Sequence, residues 1–375
     1  MIYHWLYPLH DQPGLSFLNV LRYVPFRVLA ATMTAMLLTF GLYPWFIRTM
    51  QARAIGQVVR DDGPQTHLSK AGTPTMGGSL ILLALIGSTV LWVDPKNSIV
   101  WVVTAVTAMY GAIGYLDDMS KVRRKHSGGL SMRAKLLLQF PIAIGVCLYL
   151  WYGDSGLPHD WIAVRDRLSV PFVAFQKHPI ALPGPVYVAF ATLVIVGTAN
   201  AVNLTDGLDG LAIGPVMISA GTYMVLAYVA GLTLFGFHVA HYLDIPSIAS
   251  AGELAIYCGA VIGAGVGFLW YNTYPAQVFM GDVGALALGG GLGALAVVTK
   301  NELLSVLLGG IFVVEAVSVI GQVVAFRFFK KRILLMAPIH HHFEKKGWAE
   351  PKIIVRFWII SVMLAIASLS TLKLR

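Results

Sequence analysis

Ten apolar runs divide the chain, at residues 26–47, 74–93, 98–116, 136–151, 185–199, 211–231, 253–271, 283–298, 303–325 and 353–372. An α-helix rises about 1.5 Å per residue, so about 20 apolar residues cross the hydrocarbon core of a bilayer. Runs of this kind lack the alternation of barrel strands, and a helix satisfies its backbone hydrogen bonds internally in lipid. The expected fold class is therefore an all-α polytopic membrane protein with about ten transmembrane helices, forming one domain over residues 1–375. Only 12% of residues are charged and 57% are hydrophobic, whereas soluble domains carry about 25% charge. The run at 185–199 is the shortest. Gly77–Gly78, Gly289–Gly291 and Gly309–Gly310 lie in or beside runs, where close helix packing is their expected use.

Lysine and arginine orient the runs. The connections after the first, third, fifth, seventh and ninth hold 18 of the 27 basic residues. The positive-inside rule places those connections in the cytoplasm and both termini outside. The net charge of +9 then reflects cytoplasmic loops and anionic lipid or phosphate partners, and nucleic acid is not an expected partner. Cys147 and Cys258 both lie inside apolar runs, which argues against a disulfide framework or a cysteine metal site. The first residues, MIYHWLYPLHDQPG, lack a basic region followed by a cleavage site, so no removable signal peptide is expected.

With that parity the chemically unusual residues share one face. The stretch 114–135, GYLDDMSKVRRKHSGGLSMRAK, opens with Asp117 and Asp118 and continues with Lys121, Arg123, Arg124 and Lys125. Paired acids at the end of a span, followed by cations, suit a metal and phosphate site at the lipid–water boundary. Adjacent residues on a helix point about 100° apart, so a division of labour between the two acids is expected rather than a shared small ion. NLTDGLDG at 203–210 puts Asn203, Asp206 and Asp209 on one face if it is helical. If the helix breaks there, Gly207 and Gly210 let backbone N–H groups approach an anion. Capping and turn formation is the plainer alternative.

Asp282 lies in MGDVG before an apolar run. It could cap that helix, and one exposed Asp also suffices to anchor Mg²⁺ alongside phosphate oxygens and water. Asn272 and Phe279 precede it and could hydrogen-bond and stack on a base or sugar. His340, His341 and His342 cannot all face one metal from a regular helix, so phosphate binding, proton transfer or orientation of another group fits better. Glu315 stands inside the ninth run, where an ionisable group is costly, and is expected either neutral and hydrogen-bonded or facing a polar groove.

TPTMGG at 73–78, LDDMSKVRRK at 116–125, NLTDGLDGLA at 203–212, PAQVFMGDVG at 275–284 and APIHHHFEKKG at 337–347 resemble the phospho-N-acetylmuramoyl-pentapeptide transferase family. That family falls within the polyprenyl-phosphate N-acetylhexosamine-1-phosphate transferases. The triple histidine followed by Phe343 and Glu344 is the part most similar to the muramoyl-pentapeptide branch. Ala285 stands where a GDxGS pattern would have serine, and residues 1–25 match no motif.

The resemblance implies that undecaprenyl phosphate attacks UDP-N-acetylmuramoyl-pentapeptide, giving lipid I and UMP with Mg²⁺ as cofactor. It also implies a cytoplasm-facing site, a bacterial inner-membrane location among membrane lipids, and a homodimer. Asp282 would anchor Mg²⁺. Asp117, with Asp118 beside it, would ionise or position the lipid phosphate, or attack first to give a phospho-enzyme. Lys70, Gly207, Leu208, Asp209, Asn272 and Phe279 would form the uridine-diphosphate end, and Thr75, Asn203 and Asp206 belong to the same substrate-binding set. Lys121 and Lys125 would face the lipid phosphate, and His340–His342 the diphosphate or sugar. The alternatives are an N-acetylglucosamine-1-phosphate transferase of the same fold and, in another class, a secondary transporter, although transporters place their binding groups near the midplane.

Overall fold

All ten apolar runs are helical in the computed structural model, which describes residues 1–53, 72–124, 128–178, 180–234 and 236–374. The helices are α1 (Val24–Ala52), α2 (Gly78–Trp92), α3 (Ser98–Arg124), α4 (Met132–Tyr152) and α5 (Gly184–Thr205), followed by α6 (Ile213–Gly231), α7 (Leu254–Asn272), α8 (Gly281–Val298), α9 (Gly310–Phe329) and α10 (Glu350–Ser370). Among the described residues nine helices are long and apolar enough to cross a membrane, and α2, with 15 residues, is a shorter tenth. The only strands among them are two antiparallel hairpins of two-residue strands, Arg167–Leu168 with Ile180–Ala181 and Thr233–Leu234 with Phe237–His238.

The core is organised around α8, in which every residue from Val283 to Val298 is buried. Its glycines make that possible. A Cβ on Gly289 or Gly293 would press on the backbone of α5 at Ala199 or Ile195, and one on Gly290 on the ring of Tyr110 in α3. In α7, Gly259, Gly263 and Gly267 form a smooth stripe against Val28, Thr32 and Thr39 of α1. Lipid tails are as apolar as leucine, so such close backbone approach drives helix association where burial from water cannot.

Three elements differ from the apolar runs that predicted them. α3 continues about two turns past the run ending at Leu116, because Lys121 pairs back onto Asp117 and Asp118 and the cations of its last turn complement the helix dipole. α5, expected as the shortest span, has 22 residues and carries Asn200 and Asn203 on its last turns. The ninth run is split at Gly309 between a short helix, Leu304–Leu308, and α9.

Candidate active site at the helix ends

The described parts of the odd-numbered connections converge on one end of the bundle. Asp117 and Asp118, on the last turns of α3, are buried, and Asp282 lies in the first turn of α8. One oxygen from each of the three carboxylates lies within 4.8 Å of the others. Two glycines permit this approach. A Cβ on Gly114 would collide with the backbone of Asp282, and Gly281 has φ +72° and presents bare backbone to Asp118 Oδ2. Adjacent helical residues were expected to look apart. They meet because α8 begins between them, with the Val283 N–H donating to Asp118 Oδ2 at 3.2 Å. Asp117 Oδ1 instead accepts the Leu130 N–H at 2.5 Å.

Two lysines neutralise most of this charge. Lys121 Nζ lies 2.7 Å from Asp117 Oδ2, 3.1 Å from Asp118 Oδ1 and 3.2 Å from Asp282 Oδ2. Lys135, near the start of α4, lies 3.1 Å from Asp117 Oδ2 and also pairs with Asp282. Asn203 donates from α5 to Asp282 Oδ1 at 2.9 Å. With every group ionised, three carboxylates face two ammoniums, which leaves an excess of one negative charge. The donor set is all oxygen, the kind a hard divalent cation takes.

The helix breaks after Thr205, so Asn203, Asp206 and Asp209 do not share one helical face. Asp206 caps α5 with ψ 59°, and Gly210 turns the chain with φ +79°. Burial first, and then the charges of Asp282, Asp118 and Asp209, push the Asp206 carboxyl up to about 8. Asp209 and Asn272 brace the loops. The Asp209 N–H donates to Glu350 Oε1 at 2.9 Å, and its Oδ2 accepts the Ala276 N–H at 3.0 Å. Asn272 accepts from the Gly210 N–H and donates to Val278 O, both at 2.8 Å. Leu208 is buried in an apolar cluster with Ile311, Ile353 and Phe357.

Phe279 is half-buried, and its backbone clasps the 74–78 segment through Phe279 N–H to Pro74 O and Gly77 N–H to Phe279 O, both at 2.8 Å. Thr75 is half-buried within that clasped segment. Lys70 and Lys125 lie outside the described residues.

The three histidines on the short helix Ile339–Lys345 have three different settings. His340 is buried, with Nδ1 3.1 Å from Glu315 Oε2. His341 Nδ1 lies 2.6 Å from Glu344 Oε2. His342 Nδ1 accepts the Leu335 N–H at 3.1 Å, which makes it the neutral Nε2–H tautomer. Glu315, undecided in the sequence, is thus hydrogen-bonded to a residue of the ninth connection. Lys135 and Glu350 were not singled out as site residues. Lys135 stood in the stretch with the aspartates, but only the start of α4 at the Ser131 cap aims it back at them.

The family model described as glycosyl transferase family 4 matches residues 100–300. A signature of phospho-N-acetylmuramoyl-pentapeptide-transferase matches residues 70–82. The phospho-N-acetylmuramoyl-pentapeptide-transferase of Sorangium cellulosum (strain So ce56) is 65% identical over the whole of both chains. The chain belongs to the phospho-N-acetylmuramoyl-pentapeptide-transferase family. Relatives of the same name from Geobacter sp. (strain M21) and Anaeromyxobacter sp. (strain K) are each 53% identical, again over the full length of both chains. The 100–300 match contains Asp117, Asp118, Lys121, Lys135, Asn203, Asp206 and Asp282, the whole carboxylate cluster with its cations. Glu315 and the three histidines lie beyond it.

Proposed function

We propose that this protein transfers phospho-N-acetylmuramoyl-pentapeptide from its UDP conjugate to undecaprenyl phosphate, forming lipid I and UMP. A phosphate oxygen of the lipid bonds to the sugar-side phosphorus of the diphosphate. The bond from that phosphorus to the bridging oxygen breaks, and the bridging oxygen leaves on UMP. The observation that carries this reading is the convergence of Asp117, Asp118 and Asp282 with Lys121 and Lys135 in a chain with full-length relatives of that name.

Phosphoryl transfer asks a protein mainly for alignment and charge neutralisation. Lys121 and Lys135 supply positive charge at the point where two phosphate-bearing substrates meet. Asn203 holds the Asp282 carboxylate in a fixed rotamer. Asp282, Asp118 and Asp117 are the residues that would hold Mg²⁺, which when bound offsets negative charge on the phosphates. Direct displacement fits the cluster better than a phospho-enzyme. Asp117 is engaged at both oxygens, by Leu130 N–H on one and by two ammoniums on the other, and Asp118 is held by Val283 N–H and Lys121. Carboxylates so occupied are weak nucleophiles. The basic connections support a cytoplasm-facing site in the inner membrane of a bacterium, and the family resemblance extends the reading to a homodimer.

The test is radiolabel transfer from the UDP conjugate into a lipid extract, with and without Mg²⁺. Asp282→Asn is expected to abolish transfer while the protein still folds. Near-normal Mg²⁺-dependent activity in that variant would overturn the assignment.

A further inference from the structure

Glu315 is wholly buried in α9, a helix otherwise rich in apolar side chains. Its Oε2 faces His340 Nδ1 at 3.1 Å, and its Oε1 is buried with no hydrogen-bond partner among the described residues. His340 Nε2 is also buried without such a partner there. It abuts Gly207, where a Cβ would collide with it. Neither group has a second ion-pair partner among the described residues.

A carboxylate in this setting without a counter-charge is strongly disfavoured, so the couple is neutral as a unit. Three arrangements satisfy that condition: the carboxylate faces an imidazolium, the acid donates from Oε2 to Nδ1 of a neutral imidazole, or an acid with its hydrogen on Oε1 accepts from Nδ1–H. The first two keep a hydrogen on Nε2, and the third buries an O–H donor at Oε1 with no acceptor among the described residues. A buried N–H without an acceptor calls for an explanation, and a partner that arrives with the ligand is one. The direction fits, because Asp206, adjacent to Gly207, lies close enough to Asp282 and Asp118 to feel their charge. His342 is already committed through Nδ1 to the Leu335 N–H, and His341 faces Glu344.

We propose that Glu315 is a positioning residue for the transfer: through Nδ1 it locks His340 so that Nε2–H is a fixed donor at the 206–209 turn for an oxygen of the nucleotide-linked diphosphate. This rests on the transferase reading above. Glu315 touches no reacting atom and acts only through the imidazole.

The experiment uses the full-length protein in nanodiscs. Ring ¹⁵N NMR of the substrate-free protein, with His340 assigned by mutation, is expected to place a hydrogen on Nε2. Glu315→Leu roughly preserves volume but leaves the buried His340 Nδ1 without its partner, so it is expected to fold with a lower melting temperature. Its kcat falls roughly 10-fold or more with KM for the lipid phosphate little changed. Glu315→Gln still bonds Nδ1 and recovers most of that loss. A purely structural role predicts instead that the leucine variant keeps its kcat. That outcome overturns the proposal, as does an unprotonated Nε2 in the wild type. Should the leucine variant fail to fold, His340→Gln, whose amide N–H can stand in for Nε2–H, is expected to outperform His340→Ala, and equal loss in both overturns the proposal. Absence of UMP release from the wild type would sink the transferase reading instead, while the NMR result still decides where the hydrogen sits.

Discussion

Asn203 donates its side-chain amide to Asp282 Oδ1 at 2.9 Å, joining the last turn of α5 to the first turn of α8. The contact spans 79 residues of sequence and holds the Asp282 carboxylate, which has an oxygen within 4.8 Å of oxygens of Asp117 and Asp118. Everything proposed for the site depends on that proximity.

Lys135 is the cation that sequence patterning left out, and its removal separates two effects. Lys135→Met takes one positive charge from the cluster, so divalent cations should bind more tightly and half-saturating Mg²⁺ should fall. Transfer should drop about 10- to 100-fold because phosphate charge is less well neutralised. Steady-state kinetics across a Mg²⁺ titration reads both. An unchanged rate would remove Lys135 from the site.

Gly114 is one of the points at which α3 meets the start of α8. Gly114→Ala places a methyl against the Asp282 backbone, and overpacking of this kind costs about 1–3 kcal/mol. Because the displaced backbone carries Asp282, activity should fall by more than the lost folded fraction explains. Thermal melts together with activity per folded molecule check this, and an alanine variant that is as active as wild type would contradict it.

Asp206 gives the protein a pH signature. Its folded carboxyl is pushed up to about 8, above the ordinary value near 3.9. Between those limits the native state binds more protons than the unfolded chain. Stability contributed by this group is therefore full at low pH and declines as pH rises, by at most about 1.4 kcal/mol per pH unit. Asp206→Asn, which mimics the protonated acid, should flatten melting temperature between pH 5 and 8 relative to wild type. Saturating Mg²⁺, which adds positive charge nearby, should flatten it as well. Parallel wild-type and variant profiles would count against a raised Asp206.

At the opposite end of the bundle, Lys300 and Glu302 form a buried ion pair at 3.3 Å. Tyr187 OH donates to Glu302 Oε1 at 2.8 Å, and Lys300 donates to Arg165 O at 3.0 Å. Burial pushes the Lys300 ammonium down, with Glu302 opposing it. Lys300→Met strands a carboxylate and should cost about 3–5 kcal/mol, whereas Lys300→Met with Glu302→Gln should recover much of it. Activity per folded molecule should not change in either variant, since the pair is remote from the carboxylate cluster. Chemical unfolding in detergent measures the two costs.

Hydropathy alone located the ten helices, because a bilayer demands long apolar segments whatever their neighbours are. The aspartates at 117, 118 and 282 were also legible, since ionisable groups at span ends stand out against an apolar chain. Partner choice was not legible. Asn272, Asp209 and Leu208 read as ligand-binding residues, and only the fold shows that the first two also brace the Gly210 turn and the Ala276 loop and that Leu208 is buried in an apolar cluster. Three identical histidines in a row received three different partners because a helix turns each about 100° from the last toward a different neighbour. Sequence by itself determined which segments enter the membrane and which polar residues remain at their ends. Only the packing of α8 between α3 and α5, set by glycine contacts that hydropathy does not encode, decided that three carboxylates and two lysines meet at one point.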